Sequence, residues 1–159
     1  METTIQLYSD GGSRIKNNQK GGSVKKTDPS AWAFYVKGAQ VEYQEAKAFY
    51  GYTNNQMELA GFISALKYLK SQNLQKEKIT CYLDSKYVLQ GITQWLPNWV
   101  KNNYRSSSGK PIKNPEYWKA LEALLKEFPH LTYQWVKGHD DTAGNILVDR
   151  LLNQAMDNL

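Results

Sequence analysis

The 159-residue sequence predicts a mixed α/β layer fold. Three strand-like stretches open the chain, helical and strand-like stretches alternate after them, and two strands end on an aspartate. Residues 4–9 alternate, with Ile5 and Leu7 on one face and Gln6 and Tyr8 on the other, which predicts a strand ending at Asp10 and stopped by Gly11 and Gly12. The polar stretch 13–30 contains Gly21, Gly22 and Pro29 and reads as a long loop. Residues 31–37 and 41–50 read as two more strands, with Gly38 in the turn between them. Asn54 or Asn55 can cap a helix reaching about residue 71. Residues 79–83 form a strand with Ile79, Cys81 and Leu83 on one face, ending at Asp84. Short helical segments are expected at 86–90 and 93–99, followed by a polar, basic loop over 102–113. Pro115 suits the first position of a helix running to residue 127, because its missing N–H would have no intrahelical partner there. Residues 131–136 then read as a strand and 143–157 as a last helix.

Composition narrows the function classes. A chain of this length forms one domain with a core large enough to need no staples. The lone Cys81 excludes an internal disulfide framework and a cysteine-rich zinc site. No apolar run approaches the roughly 20 residues of a membrane helix. The N-terminus METTIQLYSD lacks the basic and apolar regions of a secretion signal, so a cytoplasmic protein with no membrane contact is expected. No phosphate loop and no G-x-G-x-x-G fingerprint appears, so no small-molecule cofactor is expected.

The net charge of +5 is unevenly spread. Residues 14–26 hold Arg14, Lys16, Lys20, Lys25 and Lys26 with no acid, and residues 85–119 hold six basic residues against Glu116 alone. The remainder is acidic. The second window also contains Trp95, Trp99, Tyr104 and Trp118, and such interleaving can grip phosphates and pack on sugars or bases. The same pattern fits two solvated loops whose aromatics plug the core.

Four carboxylates stand out. Asp10 and Asp84 end strands, where open α/β sheets place ligands, although Asp84 could equally cap the helix after it. Glu58 begins an apolar helix row that continues through Phe62, Ala65 and Leu69, so it either points inward or complements the helix dipole. Asp149 lies beside Val148, Leu151 and Leu152 on the last helix, facing either inward or solvent. Carboxylates that converge repel unless a cation sits among them. With no cysteine-rich set and only His130 and His139, hard ions fit best, Mg²⁺ above all and Mn²⁺ as an alternative.

These motifs, in this order, resemble type 1 ribonuclease H, particularly the compact bacterial enzymes. SDGGS at 9–13, TNNQMEL at 53–59, LDSKYV at 83–88, GITQWLPNW at 91–99, GKPIKN at 109–114, WVKGH at 135–139 and GNILVDRLLNQA at 144–155 carry the likeness. The resemblance implies a ribonuclease H-like three-layer α/β fold: a five-stranded mixed sheet flanked by helices, in one domain over 1–159, with a basic loop at 13–30 and a basic protrusion at about 93–114. It implies endonucleolytic hydrolysis of the RNA strand of RNA–DNA hybrids by two-metal-ion catalysis, leaving 5′-phosphate and 3′-hydroxyl ends, by a monomer. Asp10, Glu58, Asp84 and Asp149 would hold two Mg²⁺ ions, with Asp10 bridging them, and His139 would assist proton movement or product release. Gly11, Gly12, Ser13, Asn54, Asn55, Gln56, Lys86 and Gln90 would meet the hybrid near the cut. Trp95, Trp99, Lys101, Arg105, Lys110 and Lys113 would hold the DNA strand.

Departures accompany the likeness. The loop at 14–30 is longer and more basic than the family's usual turn, Gln56 stands where many members carry arginine, and Lys86 where many carry glutamine. Asn102, Asn103, Ser106, Ser107 and Ser108 dilute the protrusion, and the first basic window is expected to offset that. A non-catalytic hybrid-binding module and a resolvase-like two-metal nuclease are the alternative readings. Retention of all four carboxylates argues against the first, and the segment 53–58 together with the protrusion argues against the second. A His139→Ala variant is expected to turn over more slowly without losing activity, as measured by steady-state cleavage of a labelled hybrid.

Overall fold

The computed structural model describes residues 4–14, 25–106, 108–136 and 143–159. Five strands, β1 (Ile5–Ser13), β2 (Pro29–Gly38), β3 (Val41–Tyr50), β4 (Ile79–Leu83) and β5 (Leu131–Trp135), form one sheet in the order β3-β2-β1-β4-β5. β1, β2 and β3 are antiparallel neighbours, whereas β1–β4 and β4–β5 are parallel. Five helices accompany them: α1 (Asn54–Ser71), α2 (Lys86–Gln90), α3 (Leu96–Lys101), α4 (Pro115–Leu125) and α5 (Ala143–Asp157). The result is the five-stranded mixed α/β sheet the sequence predicts. None of the described helices is long and apolar enough to cross a membrane.

The two sheet faces follow strand alternation. Ile5, Leu7, Phe34, Ile79, Cys81 and Leu83 join Leu59, Phe62, Leu66 and Leu69 of α1 and Trp118 and Leu121 of α4 in the larger core. Tyr8, Ala31 and Ala33 face Val148, Leu152 and Met156 of α5. Cys81 is fully buried, and burial pushes its thiol far above the usual range, so it serves as packing.

Three expectations change. β1 does not stop at Asp10: Gly11, Gly12 and Ser13 continue the strand opposite Trp32, Ala31 and Ser30. The parallel pairing with β4 does end at Ser9–Leu83, so β1 parts from β4 at Asp10 while remaining zipped to β2. The turn after β2 is made by Ala39 and Gln40, both at positive φ (49° and 64°), as a two-residue turn between right-twisted strands demands; Gly38 is the last residue of β2. Helix α1 is capped by Thr53 rather than by either asparagine. Thr53 Oγ1 accepts Gln56 N–H at 3.1 Å and Gln56 Oε1 accepts Thr53 N–H at 3.0 Å, a reciprocal capping box.

Glycines set the closest packings. Any side chain at Gly11 would run into the backbone of Met57 and Glu58, and a Cβ at Gly61 would lie 2.9 Å from the Asp10 carbonyl. The backbones of α1 and β1 are therefore in direct contact at both places. Between α2 and α3, Gly91–Trp95 forms one π-helical turn, so the expected pair of short helices is almost continuous. Gly91 lies against the fully buried Trp118 ring, with no room for a Cβ. Gly91→Ala is expected to destabilise the fold by about 3 kcal/mol through overpacking, measurable by urea denaturation.

Candidate active site

An open cleft of about 570 Å³ lies where β1 and β4 diverge. Asp10, Glu58, Asp84 and Asp149 line it, together with Gly11, Gly12, Ser13, Asn54 and Asn55. Nine of the residues predicted for the site thus meet in one place.

Local structure decides how each carboxylate arrives. Asp10 sits within β1 and is 9% exposed, with Gly11 N–H donating to its Oδ1 at 2.8 Å. Glu58 lies beyond the first turn of α1, so the dipole reading of its role falls away. The contact of α1 with Gly11 brings it inward. Asp84 follows β4, and the cap of α2 is Ser85, whose Oγ accepts Val88 N–H at 3.2 Å. Carboxylate oxygens of Asp10, Glu58 and Asp84 all lie within 4.8 Å of one another. Asp149, on α5, lines the same cleft outside that trio.

Such crowding is expensive for charge. Burial, then repulsion from Asp84 and Asp149, pushes Asp10 up to about 7, against hydrogen bonds from Glu58 and Gly11 that favour its ionised form. Burial first, then Asp10 and Asp84, pushes Glu58 well above the carboxylate range. A tight set of oxygen donors held partly protonated against mutual repulsion fits a hard divalent cation, which would replace the protons.

The cleft wall is hydrogen-bonded. Ser13 donates from its backbone N–H (2.6 Å) and its hydroxyl (3.2 Å) to Asn54 Oδ1, joining the end of β1 to the start of α1. Arg14, read in sequence as part of a phosphate-gripping window, turns instead to α5. Its guanidinium pairs with Asp157 at 2.7 Å and donates to Asn153 Oδ1 at 3.1 Å and the Asn153 carbonyl at 3.2 Å. Asn153 Nδ2 in turn donates to the Asp149 carbonyl at 2.9 Å. Asn153 follows Asp149 by one helical turn, but nothing in the sequence marked Arg14 as its partner, because that link spans 139 residues.

Trp135 was also missed. It ends β5 opposite Leu83 and is 42% exposed. Its indole N–H donates to the Asp84 carbonyl at 3.3 Å, and the Lys86 ammonium lies 4.7 Å from its ring centroid. A tryptophan near the end of a strand-like stretch was the available signal.

The remaining predicted residues that the structure describes lie off the carboxylate cleft. Gln56 has its carbonyl oxygen committed to the α1 cap. Lys86 is exposed on the first turn of α2 and Gln90 half-buried at its end. Trp95 and Trp99 are half-buried in a run of rings: Tyr87–Trp95 at 6.1 Å, Trp95–Trp99 at 5.7 Å and Trp99–Trp118 at 5.1 Å. The aromatics of the second basic window therefore anchor it to the core. Lys101, Arg105, Lys110 and Lys113 are exposed, on a segment pinned by the Arg105–Pro111 bridge and by Ser106 N–H to the Lys110 carbonyl at 2.7 Å. His139, Lys16 and Lys20 lie outside the described residues.

Fold and site together define a class: an α/β protein whose acidic cleft suits hard cations and is walled by asparagine and backbone amides. Comparison with known proteins makes the class specific. The family model of RNase H matches residues 2–157, and the chain belongs to that family. It is 40% identical over 156 residues to the Ribonuclease H of Hydrogenovibrio crunogenus, covering 98% of this chain and 97% of that one. The solution structure of the PFV RNase H domain superposes with a TM-score of 0.78 at 23% identity, covering 99% of this chain and 97% of the other. LC11-RNase H1, solved in complex with RNA/DNA hybrid, superposes with a TM-score of 0.70 at 18% identity, covering 97% of each chain. At these identities the two structures speak for the fold alone.

The raised carboxyls set a pH dependence for the metal-free protein. The folded state keeps its proton on Asp10 up to about 7, whereas an unfolded aspartate releases it near 3.8. Between those values the native state binds more protons than the unfolded one, so stability falls as pH rises from about 4 to about 7. Thermal denaturation of EDTA-treated protein is expected to give a lower Tm at pH 8 than at pH 5 from this centre, and Mg²⁺ or Mn²⁺ is expected to restore it at pH 8.

Proposed function

We propose that this chain is an endonuclease that hydrolyses the RNA strand of RNA–DNA hybrids, leaving 5′-phosphate and 3′-hydroxyl ends, with two Mg²⁺ ions held by Asp10, Glu58, Asp84 and Asp149. The observation that carries the reading is the convergence of Asp10, Glu58 and Asp84 within 4.8 Å in a member of the RNase H family. The relative from Hydrogenovibrio crunogenus bears the same activity in its name, and LC11-RNase H1 is a neighbour in fold that binds RNA/DNA hybrid. The proposed working form is a monomer.

Bound divalent ions would supply charge neutralisation at the phosphodiester and a more acidic water. The protein's own groups do the positioning. Asp10 sits where β1 leaves β4, and its carboxylate lies within 4.8 Å of those of Glu58 and Asp84. Asn153 and Arg14 hold the α5 turn that carries Asp149. Asn54, locked by Ser13, and the neighbouring Asn55 present amides at the cleft wall, where base edges and the 2′-hydroxyl of a minor groove offer partners. The exposed cations Lys101, Arg105, Lys110 and Lys113 face the DNA phosphates, and His139 assists proton movement near the cut.

A panel of labelled RNA–DNA, DNA–DNA and RNA–RNA duplexes, each with Mg²⁺ or EDTA, tests this reading. Metal-dependent cut of the hybrid's RNA strand alone is expected. Hybrid binding without cleavage would favour a binding module, and cleavage of branched or DNA-only duplexes a resolvase-like nuclease. Asp10→Asn and Asp84→Asn are expected to lower kcat by more than about 100-fold while the circular dichroism spectrum stays native, since each removes a carboxylate charge from the centre. An Asp10→Asn enzyme with near-normal turnover would refute the assignment.

A further inference from the structure

The first basic window enters the described structure again at Lys25, and the fold sets its end against a distant part of the chain. Asp28 is 1% exposed. Its Oδ2 accepts Lys25 N–H at 2.8 Å, and its own N–H donates to the Lys25 carbonyl at 2.9 Å, closing a turn. The Asp28 carbonyl accepts Gly51 N–H at 2.9 Å, which ties that turn to the connector between β3 and α1. Gly51 adopts φ +88°, and a Cβ there would lie 3.2 Å from Lys26 Cα, so the two segments meet backbone to backbone. Tyr50, 52% exposed, ends β3, and the connector carries Tyr52, 38% exposed and set edge-on to Phe49 with ring centroids 5.6 Å apart. It then runs directly into Thr53, Asn54 and Asn55, and the two asparagines line the carboxylate cleft.

We propose that Lys25, Lys26, Tyr50 and Tyr52 form a second binding surface for the nucleic-acid backbone, beside the cleft and outside the protrusion. Both lysines are exposed, and neither forms an ion pair among the described residues. The turn that presents them is fixed by a buried carboxylate, so little backbone freedom remains to be lost on binding. Ammonium groups displace counterions from phosphates, and tyrosine rings pack on sugars and bases without regard to sequence. This surface extends the grip beyond a protrusion that asparagine and serine dilute, and it gives the first basic window a role that Arg14, engaged with α5, does not fill. The inference rests on the reading of the chain as a hybrid-cutting enzyme.

Its test is binding of a fluorescent RNA–DNA hybrid by the Asp10→Asn protein across about 50–200 mM salt. Adding Lys25→Gln and Lys26→Gln is expected to weaken binding several-fold and to flatten the slope of log Kd against log salt by up to about 1.8, at about 0.9 per lost phosphate contact. Lys25→Arg with Lys26→Arg is expected to keep the slope. Tyr50→Ser with Tyr52→Ser is expected to weaken binding at constant slope. Lys76→Gln, on the connector before β4 at the opposite end of the sheet from the cleft, is expected to change neither. An unaltered slope in the double glutamine protein overturns the proposal, as does the same loss of slope with Lys76→Gln. Failure of the enzyme reading is seen separately, as intact hybrid after incubation of the unmutated protein with Mg²⁺.

Discussion

The direct backbone contact between α1 and β1 is the constraint on which the rest of the structure depends. Gly11 on the strand leaves no space between itself and Met57–Glu58, and Gly61 on the helix lies against the Asp10 carbonyl. A helix normally stands off a sheet by the thickness of its side chains. Here two glycines remove that spacer at the point where β1 parts from β4. The apolar row of Phe62, Leu66 and Leu69 then packs fully, and the same geometry drives Glu58 onto Asp10. Helix packing and the assembly of the acidic centre are thus one event. A helix lifted by a single methyl group would loosen both.

Charge in this molecule is divided by location. The acids converge where burial and mutual repulsion raise Asp10 and Glu58, a state that only protons or cations relieve. The exposed basic side chains stand elsewhere: Lys101, Arg105, Lys110 and Lys113 on the protrusion, Lys25 and Lys26 on the turn fixed by Asp28. Arg14 is the exception. It fills a structural role, bridging the end of β1 to Asn153 and Asp157 and so bracing the turn of α5 that bears Asp149. A net charge of +5 therefore describes neither surface.

Much of this was legible in the chain. The alternation in β1 and β4, the 3.6-residue apolar rows of α1 and α5, and Pro115 opening α4 are local patterns, and local patterns survive in sequence. Glu58 was conspicuous because it breaks an apolar row, and Asp10 and Asp84 because they follow strands. Gly11 and Gly12 were misleading, since glycine commonly interrupts strands. Pairing with β2 supplied the hydrogen bonds that kept β1 extended to Ser13. The asparagines of the segment 53–55 looked like caps, but Thr53 took that position and left Asn54 for Ser13.

By itself the sequence determined the element order and the mixed α/β class and made four carboxylates conspicuous, because such patterns are written in spacing over a few residues; the resemblance of its motifs joined those four into one set. Tertiary structure decided which groups meet. It joined Asp10, Glu58 and Asp84 within 4.8 Å, braced Asp149 through Asn153 and Arg14, set Trp135 against Asp84 and Lys86, and placed Lys26 on Gly51. Those contacts depend on strand register and on backbone approach at glycines. Both are fixed only when the whole sheet closes on its helices, so no window of the chain encodes them alone.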